Sequence, residues 1–326
     1  MDLLIYEDDE GSKRRIATMS EWCRRRESIL ARMQDVMGPL PGDDRRVPLD
    51  VQMLEEVALP EGITGQEISY VPEEGDRVPA YLLVPNGMDR KMPAMLCLHQ
   101  TVDIGKAEPV GLGKNPNLRY ALELAQRGYV TLSPDYPNFG DYQCDPYSMG
   151  YVSATMKGIW NHIRAVDLLQ SLPQVDGERV GCIGHSLGGH NSMFLAVFDS
   201  RIKVIVSSCG FNSFFKYHGG DLSGWSHRGY MPRIASVYEN DPAKMPFDFP
   251  EVVAALAPRP FFVNAPVRDS NFEVSGVRDC LEAAAAVYEL LGAPSNLFAY
   301  YPDAGHEFPP EVRECAYTFI DTVLRP

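Results

Sequence analysis

Residues 184–188 read Gly-His-Ser-Leu-Gly, with an apolar β-prone run before them (180–183) and a helical pattern after them (187–198). A serine hydroxyl is a weak nucleophile until a base takes its proton. On a turn that passes directly from strand to helix, Ser186 projects its hydroxyl, and small residues at 184 and 188 let strand and helix approach. The helix then aims its first amides and positive dipole end at the same point, which suits a developing oxyanion. Four histidines follow the serine: His190, His218, His227 and His306. His190 lies four residues along the same helix, and His218 and His227 lie in a long connection. His306 follows the last apolar strand, inside Tyr-Pro-Asp-Ala-Gly-His-Glu-Phe (301–308), and is the expected base. The preceding strand, 260–264, leads into Val-Arg-Asp-Ser-Asn-Phe (267–272), so Asp269 is the expected orienter of the imidazole, with Glu273 and Asp303 as competitors. The oxyanion amides are expected at Leu187 and at Thr101, with Gln100 in reserve, while His99 orders that loop.

These groups need a scaffold that brings distant loops together. Short apolar strands are expected at 94–98, 129–132, 179–184, 204–207, 260–264 and 296–300, alternating with helical patterns at 118–127, 154–171, 187–198, 275–291 and 312–324. Two β-prone runs, 66–71 and 78–84, precede them as a hairpin around Glu-Glu-Gly-Asp. The fold class is α/β: a mostly parallel, eight-stranded sheet flanked by helices, with reacting groups at the carboxyl ends of strands. Residues 1–65 read as an N-terminal helical extension, with an amphipathic helix at 19–37, and residues 66–326 as the catalytic domain. An aromatic insertion at about 210–250 breaks the alternation. Tyr136, Asn138, Phe211, Phe214 and Trp225 are expected to line the substrate pocket, against the alternative of a packed surface excursion.

Composition bounds the partners. A net charge of −14 opposes binding to nucleic acid or an anionic membrane, and Arg24-Arg25-Arg26 reads as a solvated helix face. No stretch approaches 18 uninterrupted apolar residues. The acidic start, MDLLIYEDDE, does not read as a signal peptide, so a cytoplasmic location is expected, the alternative being secreted or periplasmic with a leader removed. Seven cysteines without CxxC spacing imply no disulfide framework, and Cys97, Cys182 and Cys209 fall in expected buried strands. His218, Asp221 and His227 match no common ligand spacing, so no metal site is expected there. A homo-oligomer is compatible with this composition.

With serine, acid, base and scaffold in this order, the chain resembles the α/β-hydrolase superfamily over residues 66–326. Leu-His-Gln-Thr (98–101), Gly-His-Ser-Leu-Gly (184–188), Ala-Pro-Arg-Pro (257–260) and Tyr-Pro-Asp-Ala-Gly-His (301–306) look like the dienelactone-hydrolase-like and acetyl-xylan-esterase-like hydrolases. The resemblance implies hydrolysis of carboxylic esters through an acyl-enzyme, including short acyl esters of carbohydrates, with a small-molecule ester as partner and without metal or organic cofactor. Dienelactone hydrolases carry a cysteine where this chain has Ser186, which weighs against lactone chemistry. Gln100 also replaces the glycine that follows the histidine in most relatives, and its side chain could narrow the pocket or contact the acyl group. The rival readings are a prolyl-oligopeptidase-like peptidase, a lactone hydrolase and a non-catalytic hydrolase-fold binding protein. No propeller-sized segment precedes the sheet, and all three catalytic residue types are present.

Overall fold

The computed structural model describes residues 2–7, 12–87 and 89–325. Residues 1, 8–11, 88 and 326 belong to the two spans expected from sequence but lie outside the described residues. In chain order the elements are β1 (Ile5–Glu7), β2 (Lys13–Arg15), α1 (Met19–Met37), β3 (Gln52–Val57), β4 (Ile63–Tyr70), β5 (Val78–Pro85), β6 (Met92–Leu98), α2 (Tyr120–Gln126), β7 (Val130–Pro134) and α3 (Ala154–Ser171). They continue with β8 (Val175–His185), α4 (Leu187–Phe198), β9 (Ile202–Ser208), α5 (Arg233–Ser236), α6 (Phe249–Leu256), β10 (Phe261–Asn264), α7 (Val274–Leu290), β11 (Leu297–Tyr300) and α8 (Pro310–Leu324).

The sheet has nine strands in the order β11-β10-β9-β8-β6-β7-β5-β4-β3. Strands β6 to β11 run parallel, and β5, β4 and β3 continue the sheet antiparallel. The expected hairpin is β4–β5, in register from Ile63↔Pro85 to Tyr70↔Val78. The ninth strand, β3, lies inside the span read as a helical extension and corrects the count of eight. Its sequence, QMLEEV, is solvent-exposed along nearly its whole length. An edge strand that buries neither face carries no alternating pattern to betray it.

Helix α1 has its expected bounds because Thr18 and Glu21 form a capping box at its start. One face, with Trp22, Ile29, Met33 and Val36, is buried. The arginine run is not a solvated face. Arg25 pairs with buried Glu251 at 2.6 Å, and Arg26 donates to the Ala255 and Val197 carbonyls at 2.8 and 2.6 Å. The second of those carbonyls belongs to the last turn of α4, where a cation complements the helix dipole. Helix α4 is buried on every side, over β8 and β9. An amphipathic stripe is therefore missing from its sequence, which reads as continuously apolar apart from the elbow residues and Asn191-Ser192.

Candidate active site

Ser186 sits between β8 and α4 with φ 53° and ψ −115°, a backbone conformation that a residue with a Cβ rarely adopts. Holding it costs about 1–3 kcal/mol, supplied by the packing around it. The glycines explain how. A Cβ on Gly184 would run into the Gly188 backbone, and one on Gly188 would overlap the carbonyl oxygen of Leu98. Gly189 lies against Gly210, whose Cα would stand 2.8 Å from an added Cβ. The Ser186 amide donates to the Ser208 carbonyl at 2.8 Å, and the Ser186 carbonyl accepts the Gly189 and His190 amides that begin the helix.

Asp269 and His306 meet at the carboxyl ends of β10 and β11. His306 Nδ1 lies 3.0 and 2.9 Å from the two Asp269 oxygens. Asp269 also accepts the amides of Asn271 and Phe272 at 2.8 and 3.1 Å. Burial pushes this carboxyl up, but the bond and charge of His306 and the two amides outweigh it, leaving the pKa below the ordinary carboxylate value. A carboxylate that stays ionised fixes the proton on Nδ1 and leaves Nε2 bare. His306 lies beside the serine turn, its ring 4.9 Å from that of His185. No hydrogen bond links Ser186 Oγ to His306 Nε2 among the described residues. Such contacts often tighten only with substrate bound.

The competing carboxylates are occupied elsewhere. Asp303 is exposed in an ion pair with Arg268 at 3.2 Å, and the carboxylate of Glu273, just before α7, accepts from the Ser275 hydroxyl. The other histidines are also accounted for. His190 is buried against Trp225, with ring centroids 4.8 Å apart, and its Nδ1 meets the Gly210 carbonyl at 3.2 Å. His218 bonds Asn271 in the loop after β10, Asp221 accepts the Ser223 amide, and His227 Nδ1 accepts the Gly229 amide, so the first ties two loops together and the other two serve local turns. Cys209 Sγ, Asp269 and His306 have donor atoms within 4.8 Å of one another. The thiol is held well above its usual pKa by burial, however, and donates to the Glu307 carbonyl at 3.4 Å, so it is no ready metal ligand.

The loop after β6 is tied at three points. The Tyr136 amide donates to His99 Nε2 at 2.9 Å, so the ring proton is on Nδ1, which donates to the Gln100 carbonyl at 2.6 Å. Because the peptide is planar and trans, the Thr101 N–H points the opposite way, away from His99. The Gln100 side chain donates to buried Glu108 at 3.1 Å, which ties down its carboxamide. The Thr101 hydroxyl meets that of Tyr230 at 3.3 Å, joining this loop to the insertion. Among the described residues, the amides of Leu187, Thr101 and Gln100 donate to no other group.

The expected pocket walls are corrected. Phe211, Phe214 and Trp225 are almost fully buried. Phe211 stacks on Phe249 at 5.6 Å, and Phe214 meets Trp225 edge-on at 6.0 Å. These rings form the core of the insertion. Tyr136 is likewise buried, donating its hydroxyl to the Gly229 carbonyl at 3.0 Å. Asn138 is exposed in a left-handed turn at φ 66°. Sequence reading missed Tyr230 as a site residue, along with the strand-end residues Ser208 and Asn264. A polar residue closing an apolar parallel strand was the available signal.

No helix among the described residues is long and apolar enough to cross a membrane. The family model "Acetyl xylan esterase (AXE1)" matches residues 44–218, more than half of the chain, and "Glucuronyl esterase, fungi" matches residues 145–292. YtaP of Bacillus subtilis is 28% identical over 304 residues, covering 89% of this chain and 96% of that protein. The 4-O-methyl-glucuronoyl methylesterase 1 of Wolfiporia cocos is 23% identical over 189 residues, 53% of this chain and 46% of its own. In fold, the chain is similar to a glucuronoyl esterase from Solibacter usitatus (TM-score 0.76, 18% identity, 98% and 96% of the two chains covered). It is also similar to an acetyl xylan esterase from Paenibacillus sp. R4 (TM-score 0.62, 18% identity, 94% and 96% covered). The matched family segment contains both the loop after β6 and the serine turn just described. The chain therefore belongs to the acetyl xylan esterase family, has the α/β-hydrolase fold and is a carboxylic ester hydrolase.

Proposed function

We propose that the protein hydrolyses carboxylic esters of carbohydrates with Ser186 as nucleophile, His306 as base and Asp269 as its orienter. The observation that carries this reading is the pairing of two features: a serine held at φ 53° on a glycine-crowded turn, and a histidine gripped through Nδ1 by a buried carboxylate beside it. Ser186 Oγ attacks the ester carbonyl while its proton passes to His306 Nε2. Asp269 holds the resulting imidazolium, and the carbonyl oxygen, now negative, is received by the Leu187 and Thr101 amides, with Gln100 in reserve. Collapse of the tetrahedral intermediate breaks the bond to the alcohol, which leaves with the proton from His306. Water then attacks the acyl-enzyme, giving one proton to His306 as before, and the acid is released as Ser186 recovers its hydrogen.

Two acyl classes compete. Acetyl esters of a sugar alcohol are favoured by the family model that covers more of the chain. Esters of a uronic acid are favoured by the fungal glucuronyl esterase model, whose span includes Ser186 and Asp269. The exposed Thr101 hydroxyl, tied to Tyr230, offers polar partners to a sugar ring in either case. Helix α1 is read as part of the same catalytic unit, because Arg25 and Arg26 bind it to α4 and α6. The test is a panel of acetylated xylo-oligosaccharides, methyl uronates and p-nitrophenyl acetate, with Ser186→Ala as the blank. Wild-type turnover that falls at least about 10⁴-fold in the folded variant is the expected result. Ester cleavage surviving in that variant would sink the assignment.

A further inference from the structure

Three neighbouring strands end on polar residues in one row. His185 closes β8, Ser208 closes β9 and Asn264 closes β10, and the parallel registers set His185 opposite Ser208 and Ser208 opposite Asn264. All three are buried. Burying polar side chains is costly unless they bond, and each of these does, with Asn264 Oδ1 left unpartnered among the described residues. Asn264 Nδ2 donates to Ser208 Oγ at 2.8 Å and to the Glu307 carbonyl at 2.8 Å. Ser208 Oγ lies 2.9 Å from His185 Nδ1. Having accepted from Asn264, the hydroxyl has one proton to give. His185 Nδ1 is its better acceptor, since the Cys209 sulfur stands 3.9 Å away. His185 thus carries its own proton on Nε2.

The row ends on the base twice. The His185 ring lies 4.9 Å from the His306 ring, tilted by 58°, and the Glu307 carbonyl belongs to the residue that follows His306. Asp269 alone leaves a freedom, because both of its oxygens hold Nδ1 and the ring can swing about that contact. Restraint must therefore act on the ring itself. His185 provides it on one side, and Phe272, at 5.9 Å and 37°, adds a second contact.

We propose that His185, Ser208 and Asn264 form a positioning rung for His306, setting the plane of its imidazole and the height of its loop so that Nε2 serves Ser186. This rests on the esterase reading above. None of the three is placed at the reacting atoms, so they are positioning residues. Burial holds the His185 pKa down to about 3, so it stays neutral when His306 becomes charged. The other titratable groups against His306 are Asp269, which stabilises the charged form, and the Cys209 thiol, which stays protonated.

The experiment compares pH profiles of kcat/KM on p-nitrophenyl acetate for wild type, His185→Ala, His185→Phe, Ser208→Ala and Asn264→Ala. For His185→Ala, kcat is expected to fall about 10- to 100-fold with KM changed less than about two-fold. His185→Phe restores most of kcat, since it keeps the ring face, and Asn264→Ala combines less than additively with His185→Ala. Variants that melt earlier yet keep both kcat and KM would overturn the proposal and leave the rung a structural feature. Should His185→Ala not fold, Ser208→Ala removes a single oxygen and decides by the same two readouts. The outcomes separate from the esterase reading itself: an inert wild type, unlabelled by a fluorophosphonate, sinks that reading. Wild-type activity with unaffected variants sinks only the rung.

Discussion

The serine turn and the aromatic insertion touch through His190 and Trp225 and are built on opposite logic. At residues 184–189 the contacts are backbone on backbone: glycine against glycine, helix start against the Leu98 carbonyl. In the insertion they are ring on ring, with Trp225 alone facing His190, Phe214, Tyr217, Tyr230, Phe249 and Phe272. Backbone crowding concentrates a requirement in single positions, because a carbonyl cannot rotate out of the way. Side-chain packing spreads the requirement over many rings, each of which can shift a little. The first kind of region is demanding and local, the second tolerant and distributed.

Gly188→Ala tests the demanding side and should have the largest effect. Its Cβ would overlap the Leu98 carbonyl and press on that of His99, so relief requires moving the very loop that carries Thr101. We expect a loss of more than about 4 kcal/mol by chemical denaturation, and almost no ester turnover in any fraction that folds. Near-wild-type stability would mean that the turn is looser than its contacts imply. Trp225→Ala tests the other side. Removing a buried indole should cost about 3–5 kcal/mol, yet kcat in the folded fraction should stay within about ten-fold of wild type, because the ring supports the insertion from within. A loss of kcat at preserved stability would instead return Trp225 to the pocket wall that sequence reading made of it.

Acid separates the two regions less sharply, because buried neutral histidines sit in both. Burial pushes His99 down to about 4 and His162, His185 and His190 down to about 3. Their unfolded value is about 6.5. The unfolded chain therefore takes up protons that the folded one refuses, and stability present above pH 6.5 is lost as pH falls toward those folded values. Between pH 7 and pH 6 each such histidine removes about 0.7 kcal/mol, or about 2–3 kcal/mol for the four together. Urea midpoints measured across that interval should fall accordingly, and a flat response would show that these rings charge without unfolding the chain.

The same contrast decides what could be read in advance. The meeting of Asp269 with His306 beside the Ser186 turn was legible because each of the three follows a strongly apolar strand, and strand ends in a parallel sheet share one edge. Helices α1, α3 and α4 have their expected bounds, since caps, apolar runs and the serine turn are local signals. Strand β3 was not legible, because its exposed residues bury no face. Phe211, Phe214 and Trp225 were misplaced for a different reason: aromatic composition says that rings will be buried but not on which side of a loop. Arg25 and Arg26 of α1 failed similarly, as their partners, the Glu251 carboxylate and the carbonyls of Val197 and Ala255, lie on helices distant in sequence.

The smallest predicted effect lies at the one side-chain hydrogen bond that, among the described residues, joins the insertion to the loop after β6. Thr101 and Tyr230 share a hydroxyl contact of 3.3 Å. Tyr230 is held from behind, with its ring 5.6 Å from that of His190 and its carbonyl accepting the Thr155 amide at 3.3 Å. Tyr230→Phe keeps all of that packing and deletes only the hydroxyl. A neutral hydrogen bond is worth about 0.5–1.5 kcal/mol, so a two- to ten-fold drop in kcat is expected, with the thermal midpoint nearly unchanged. Thr101→Val should produce a drop of the same size, and the double variant should add little, because both changes break one bond. Additive losses would mean that each hydroxyl meets the substrate separately, and the insertion would then belong with the demanding region, for in that case a single atom at its tip would govern turnover as the glycines govern the turn.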